Sequence, residues 1–216
     1  MNTTVAATDA DPDCGLRQLL RAMAYNNAWA NHRLLKACRG LTDEEFAAPR
    51  TGFFPSLRAT LNHILIVDWF YIDAIERSLA GRPPNTDAEA FFDPLEPFPA
   101  CARLAAAQRA TDARLIAVCE STYGAASSRT IEVPRRDHVQ RDRLDRLLAH
   151  LFQHQVHHRG QAHSMLSGTR VAPPQLDEFF SAEEAPLRAG EFAELGFDEA
   201  RIWNPSGGEL RAPRPR

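Results

Sequence analysis

Paired cysteines are the first feature that this sequence lacks. Its four cysteines lie far apart and form no CxxC motif; they are Cys14, Cys38, Cys101 and Cys119. The first residues, MNTTVAATDADPD, have neither the basic nor the apolar region of a signal peptide. We therefore expect a cytoplasmic chain with reduced cysteines rather than a disulfide framework.

Long apolar runs and an excess of one charge are also missing. The best apolar run, ILIVDWFYIDAI at 64–75, is too short to span a bilayer and contains two aspartates. The formal net charge is -3, and basic residues are scattered apart from the terminal RAPRPR. We therefore expect neither a membrane nor a nucleic acid as a partner.

The length of the chain suits one domain. Its 216 residues are enough to bury a substantial core, and 44% of them are apolar. We predict a single domain at 15–204. Residues 1–14 and 205–216 are predicted to be disordered tails, the second because it is rich in proline and arginine.

Four segments combine a helical period of apolar residues with helical length. They predict helices at about 16–39, 56–80, 100–120 and 141–167. Pro55 and Ser56 are typical of a helix start, and Gly40, Gly81 and Gly168 follow three of the segments as stop signals.

The connecting segments complete the predicted fold class. Residues 82–99 contain five prolines and predict a surface loop, and SSRTIEVP at 127–134 is compatible with one short strand. Residues 169–204 predict irregular structure or one small helix. The whole pattern predicts an all-α fold, an up-down-type four-helix bundle with a long crossover loop and a short irregular C-terminal extension.

Histidine is concentrated in the predicted fourth helix. The stretch HLFQHQVHHRGQAHSML at 150–166 holds five of the eight histidines: His150, His154, His157, His158 and His163. Each residue of an α-helix advances by about 100°. His158 therefore projects into the apolar stripe of this helix, with His154 at its edge one turn earlier. The other three point toward the polar side.

His154 and His158 form an H-x-x-x-H pair, whose spacing lets two imidazoles reach one metal ion. Burying imidazoles without partners is unfavourable, and a divalent cation satisfies both. Two other interpretations stay open from spacing alone. The pair can consist of hydrogen-bonded core histidines, or His150 can replace His158 as the partner of His154, although His150 lies off the apolar stripe.

A third ligand would come from another segment, and His32, His63 and His138 are the candidates. His63 lies on the most apolar helix, whereas His32 lies among asparagines and His138 in a predicted loop. Burial therefore favours His63. Three protein ligands are typical of a catalytic rather than a structural metal site.

Three motifs resemble those of the DinB/YfiT-like family. They are YNNAWANHRLL at 25–35, SLRATLNHILIVDWFY at 56–71 and HQVHHRGQAHSML at 154–166, the last being similar to the HxxxHRGQ signature. The resemblance implies a four-helix bundle, often a homodimer, with a divalent metal ion held by three histidines. Carried over by position, the ligands are His63, His154 and His158, and His157 is not a ligand.

Members of the family have different activities. This chain differs from two groups of enzymes in the family, and these differences narrow the activities that the resemblance suggests. Mycothiol-type isomerases tend to have a carboxylate where this chain has His154. Sulfoxide synthases of the family carry an HxxxHxE pattern and a large C-terminal domain. Here Gly160 stands in place of that Glu, and only about 50 residues follow the fourth helix.

Three neighbouring residues invite separate hypotheses. Asp68 can orient a ligand or accept a proton at the metal site, although a hydrogen bond within the bundle is the favoured interpretation. Arg159 is predicted to tie the fourth helix to another segment. Gly160, which costs about 1 kcal/mol in a helix, is predicted to allow a close approach of neighbouring backbone.

The sequence thus predicts a divalent-metal-binding protein. We expect a metal-dependent enzyme in which zinc, nickel or iron polarises a thiol or water, for thiol-dependent transfer or for hydrolysis of a small molecule. The resemblance suggests a low-molecular-weight thiol as a further cofactor. The alternative is a non-catalytic, stress-associated dimer whose metal site is structural or vestigial.

Overall fold

Four long helices carry most of the fold. The computed structural model describes residues 14–121 and 127–203. The long helices are α1 (Cys14–Cys38), α3 (Leu57–Leu79), α4 (Cys101–Ser121) and α5 (Leu144–Ser167), and the short α2 (Asp43–Ala47) precedes α3. The predicted all-α bundle is confirmed, and the boundaries of the first three predicted helices are correct to within one or two residues.

Side-chain caps explain where two of these helices begin. Ser56 precedes α3, and its hydroxyl accepts a hydrogen bond from the Ala59 amide. Thr42 and Glu45 form a capping box at the start of α2, each side chain accepting from the other residue's amide. These bonds satisfy amides that the first turn of a helix leaves unpaired.

Two apolar clusters fill the bundle, one at each end. The first cluster joins the N-terminal halves of α1 and α5 to the C-terminal halves of α3 and α4, and the second joins the opposite halves. Helices α1 and α5 therefore run in one direction, and α3 and α4 in the other. Because α3 and α4 are parallel neighbours, the chain must cross the length of the bundle between them. Residues 80–100 make this crossover, which includes a 3₁₀ helix at Ala88–Phe92.

A β-hairpin precedes α5 and corrects one predicted boundary. Strand β1 (Thr130–Pro134) pairs antiparallel with β2 (Val139–Arg143). The sequence predicts β1 but places the start of the fourth helix near Arg141, which is wrong because Arg141 lies in β2. Strand β2 has no buried face. Its sequence therefore lacks the apolar alternation that identifies a strand.

The C-terminal extension is more regular than the sequence predicts. It contains α6 (Ala185–Leu195), α7 (Glu199–Trp203) and 3₁₀ helices at Glu178–Phe180 and Ala182–Glu184. A third apolar cluster packs this extension on α1; it includes Trp29, Phe179, Phe192 and Ile202. Short helices of this kind depend on tertiary packing, which the local sequence does not reveal.

Parts of the predicted organisation fall outside the described ranges. The predicted tails at 1–13 and 205–216 lie there, whereas Cys14, also assigned to a tail, opens α1. The assignment of 15–204 to a single domain stays a prediction. Within 14–121 and 127–203, no helix is both long and apolar enough to cross a membrane.

Candidate metal centre

Helices α3 and α5 bring three histidines together at one edge of the bundle. His154 and His158 lie one turn apart on α5, and His63 faces them from α3. The ring centroids are 4.5 Å apart for His154 and His158, 4.7 Å for His63 and His158, and 5.0 Å for His63 and His154. One nitrogen from each ring lies within 4.8 Å of the other two, a group that could hold a metal ion.

The spacing of the ring nitrogens fits a small divalent cation. The Nε2 atoms of His63 and His154 lie 3.1 Å apart. Two nitrogens bound tetrahedrally to one zinc ion at about 2.0–2.1 Å would be roughly 3.3 Å apart. At this distance one imidazole can donate its Nε2 proton to the other, so a hydrogen bond alone can satisfy these two nitrogens. The buried Nδ1 of His154, in contrast, has no hydrogen-bond partner among the described residues.

A hydrogen-bonded chain holds the ring of His158. Its Nδ1 lies 2.8 Å from Oε1 of Gln161, which accepts the ring proton, and Nε2 of the same amide lies 3.1 Å from Nε2 of His157. This arrangement places the proton of His158 on Nδ1 and leaves the lone pair of Nε2 for a ligand. His157 therefore lies beside the group, bonded to Gln161 and with its ring centred 4.9 Å from that of His158.

All three imidazoles are poised to be neutral. Burial, followed by the charge of His158, lowers the pKa of His63 to about 4. Burial and then the neighbouring histidines, His158 first, lower the pKa of His154 to about 3. Burial also lowers the pKa of His158, against the opposing effect of its bond to Gln161. Neutral imidazole is the form that binds metal ions.

Two aromatic residues from the segment before α3 cover part of the site. The ring of Phe54 is centred 4.4 Å from that of His63 and 5.5 Å from that of His158. Phe53 lies 6.5 Å from His158 and is 77% exposed. This pair was not predicted from the sequence. The only signal was two adjacent aromatic residues just before the helix start.

The other histidines do not join the group. His32 lies 2.8 Å from a carboxylate oxygen of Glu194, and His138 lies 2.7 Å from one of Asp137. Neither alternative third ligand therefore reaches the site. The remaining histidines lie outside the group on α5; they are His150, His157 and His163.

A buried polar layer crosses the bundle between the two apolar clusters. Arg159 of α5 lies in this layer, and its Nη1 donates to the side-chain oxygens of Asn27 and Asn31 on α1 and of Gln155 on α5. Arg159 thus ties α5 to α1, as the sequence predicts. A Cβ at Gly160 would meet nothing within 4 Å, so the predicted close approach of backbone there is wrong.

Two carboxyl groups share this layer with Arg159. Oδ2 of Asp68 accepts hydrogen bonds from Gln108 and Gln155, so Asp68 makes the bond within the bundle that the sequence favoured. Burial raises the pKa of Asp68 to about 7 and that of Asp112 to about 6. Burial also lowers the pKa of Arg159 to about 10, although both carboxyl groups oppose this shift.

The buried cysteines offer no nucleophile. Burial raises the pKa of Cys101 to about 11 and that of Cys119 to about 12, and it also raises the pKa of Cys38. These three thiols stay protonated near neutral pH and are therefore unreactive.

Comparison with known proteins agrees with the motifs and the helical fold. The sequence model of the DinB family matches residues 15–191. These residues include all three histidines of the site and the four long helices except Cys14, the first residue of α1. No curated protein matches the chain. Because this match covers most of the chain, the chain belongs to the DinB family.

Proposed function

We propose that His63, His154 and His158 bind one divalent metal ion, and that the protein is a metal-dependent enzyme acting on a small molecule. The observation that carries this proposal is the convergence of three neutral imidazoles from two helices, with their nitrogens within 4.8 Å of one another. Three imidazole nitrogens suit zinc, nickel or iron.

The proposed reaction is a thiol-dependent transfer or a hydrolysis. When bound, the metal ion supplies Lewis-acid chemistry, which lowers the pKa of a thiol or water and makes it a nucleophile near neutral pH. A low-molecular-weight thiol is the proposed second cofactor. The three protein ligands would leave further coordination positions for it, as in catalytic sites generally.

The surrounding side chains have proposed roles in this site. Gln161 accepts the proton of His158 Nδ1, which leaves the lone pair of Nε2 to bind the metal ion. Phe53 and Phe54 supply an apolar surface beside the histidines. Such a surface would bind an apolar part of the substrate and limit the access of water, which strengthens electrostatic interactions at the site.

The test measures turnover with and without metal. The metal-loaded protein is mixed with cysteine as the thiol and monochlorobimane as the electrophile, and separately with para-nitrophenyl acetate as a hydrolase substrate. We expect turnover that chelation abolishes and metal restores. The variants His63→Gln and His154→Gln should lose it, and the control His163→Gln on the same helix should keep it.

The same experiment separates the non-catalytic alternative. If the site is structural or vestigial, chelation lowers the melting temperature but no substrate in either assay is converted. That outcome, or turnover that survives chelation and both histidine variants, would contradict the proposed enzyme. The homodimer and the cytoplasmic location stay predictions, and sedimentation of the metal-loaded protein tests the first of them.

A further inference from the structure

A cavity lies between α1 and α4, whereas the group of His63, His154 and His158 lies between α3 and α5. It opens between α1, α4 and the C-terminal end of α6 with the residues just after it, and its volume is about 110 Å³. This volume is about three-quarters of the roughly 150 Å³ of engineered cavities that take up benzene, so one small ring is the largest group that it can hold. Its closing residues Leu195 and Phe197 lie beyond the matched range 15–191. The other residues that line the cavity lie within that range.

The walls of this cavity are apolar, but its floor carries two buried polar side chains. Leu35 and Ile116 contribute to the walls, and Gln108 and Asp112 line the floor. Gln108 is 2% exposed and Asp112 is 4% exposed. A ligand in the cavity would therefore meet apolar surface at its sides and polar groups at its inner end.

The carboxyl group of Asp112 has one oxygen to spare. Its Oδ1 accepts from Asn27, Asn31 and Gln108 at 3.2, 3.0 and 3.1 Å. No donor from the described ranges 14–121 and 127–203 reaches its Oδ2. This oxygen can therefore accept a hydrogen bond from a group that enters the cavity. The floor is therefore suited to a ligand that brings a hydrogen-bond donor.

Three cationic side chains surround the mouth of the cavity. Lys36 pairs with the carboxylate of Glu194 at 2.6 Å, and Arg109 donates to the backbone oxygen of Glu194 at 3.0 Å. Arg39 has no ion pair within the part of the chain that the structure describes. One carboxylate against three cations leaves the mouth positively charged, which favours an anionic group on the ligand.

We propose that this cavity binds a small amphipathic acid. A hydroxyl group of the ligand donates to Asp112 at the floor, an aromatic ring lies against the apolar walls, and a carboxylate meets Lys36, Arg39 and Arg109 at the mouth. The ligand class is thus an aromatic hydroxy acid of one ring. The site is separate from the proposed metal centre and does not depend on it.

The experiment compares para-hydroxyphenylacetate with three analogues. Each analogue changes either the hydroxyl group or the carboxylate and keeps the other end. Calorimetry with the metal-loaded, full-length protein measures the affinity for para-hydroxyphenylacetate, phenylacetate, para-ethylphenol and tyramine. We expect para-hydroxyphenylacetate to bind best, since loss of the hydroxyl or of the carboxylate each removes a charged or buried hydrogen bond. Each loss should weaken binding about tenfold, and the cationic tyramine should bind most weakly.

Variants at the mouth and in the wall locate the site. Combining Arg39→Gln with Arg109→Gln should weaken para-hydroxyphenylacetate about tenfold but leave para-ethylphenol unchanged. Ala105→Phe should fill the cavity and abolish binding of both. The control Arg103→Gln is exposed on α4 and does not line the cavity, so it should change nothing.

Two results would overturn the proposal. One is the absence of saturable binding of para-hydroxyphenylacetate at millimolar concentration. The other is binding that ignores the hydroxyl group, the carboxylate and the variants at the mouth. Thermal unfolding and metal content of each variant show that a loss of binding does not come from a loss of fold.

Discussion

Among single residues, Gln161 decides how His158 faces the proposed metal. Its Oε1 accepts from Nδ1 of His158, which keeps the lone pair on Nε2. Residues that hold a ligand in this way typically contribute 10–100-fold to metal affinity. We therefore expect Gln161→Ala to weaken metal binding about 10–100-fold without unfolding the protein. Competition against a chromogenic chelator measures this affinity.

A matched variant on the same helix provides the control. Gln153 is exposed, so Gln153→Ala should leave the affinity as it is in the unchanged protein. Equal affinities for the Gln161 and Gln153 variants would contradict the assigned role of Gln161, because both substitutions have the same effect on helix propensity.

The sequence predicts the grouped histidines better than their surroundings. Helical phase selects His154 and His158, because the side chain of each residue on a helix has a defined direction. The role of Gln161 could not be predicted, since it depends on which rotamer its side chain adopts. The aromatic rings of Phe53 and Phe54 were missed because a loop has no period from which to infer a direction.

Among whole elements, Arg159 is the main polar connection between α5 and α1. Replacing it by methionine leaves the side-chain oxygens of Asn27, Asn31 and Gln155 without this donor. Each buried acceptor that loses its partner costs about 1–3 kcal/mol. We expect Arg159→Met to lower the free energy of unfolding by at least about 3 kcal/mol. Urea denaturation of the metal-free protein measures the loss.

The comparison for this prediction is an arginine on the surface of the same helix. Arg146 is exposed, with 78% of its side-chain surface accessible, and it makes a single ion pair with Asp142 at 3.7 Å. Arg146→Met should change the free energy of unfolding by no more than about 0.5 kcal/mol. A similar loss in both variants would show that the layer around Arg159 is not a special connection.

The long helices could be predicted from the sequence because many residues repeat each signal. Local stop signals and apolar periodicity agree along α1, α3 and α4. Strand β2 and helices α6 and α7 could not be predicted, because β2 has no buried face and the two short helices depend on contacts with α1. The prediction of a close backbone approach at Gly160 was wrong because a glycine inside a helix does not by itself reveal what lies next to it.

At the scale of the whole molecule, the polar layer makes stability depend on pH. Burial raises the pKa of Asp68 to about 7 from an ordinary value near 3.9. The native state therefore holds this proton more tightly than the unfolded state. The stabilising contribution is complete below about pH 4 and is lost as the pH rises through about 7.

The histidines change the pH dependence of stability in the opposite direction. Their contribution cancels when the stability of a variant is compared with that of the unchanged protein. Their lowered pKa values give stability that is present above about pH 6.5 and is lost as the pH falls toward about 4 and 3. Both effects act in the unchanged protein, but a comparison with Asp68→Asn cancels the histidine contribution. It leaves the contribution of Asp68 together with its interaction with Asp112.

We expect Asp68→Asn to gain stability relative to the unchanged protein as the pH rises from about 5 to about 8. The reason is that asparagine cannot ionise, whereas Asp68 must lose its buried proton. The relative gain should be on the order of a few kcal/mol. Urea denaturation at both pH values measures it. A difference that stays constant with pH would mean that Asp68 is already ionised in the native state.

The central claim is that His63, His154 and His158 bind one metal ion. Elemental analysis of protein purified without chelator or nickel resin tests it most directly. We predict about one divalent ion per chain, lost in His63→Gln and His154→Gln and kept in His150→Gln, which alters the histidine one turn away on α5. Protein without stoichiometric metal, or histidine variants with unchanged metal content, would contradict the account.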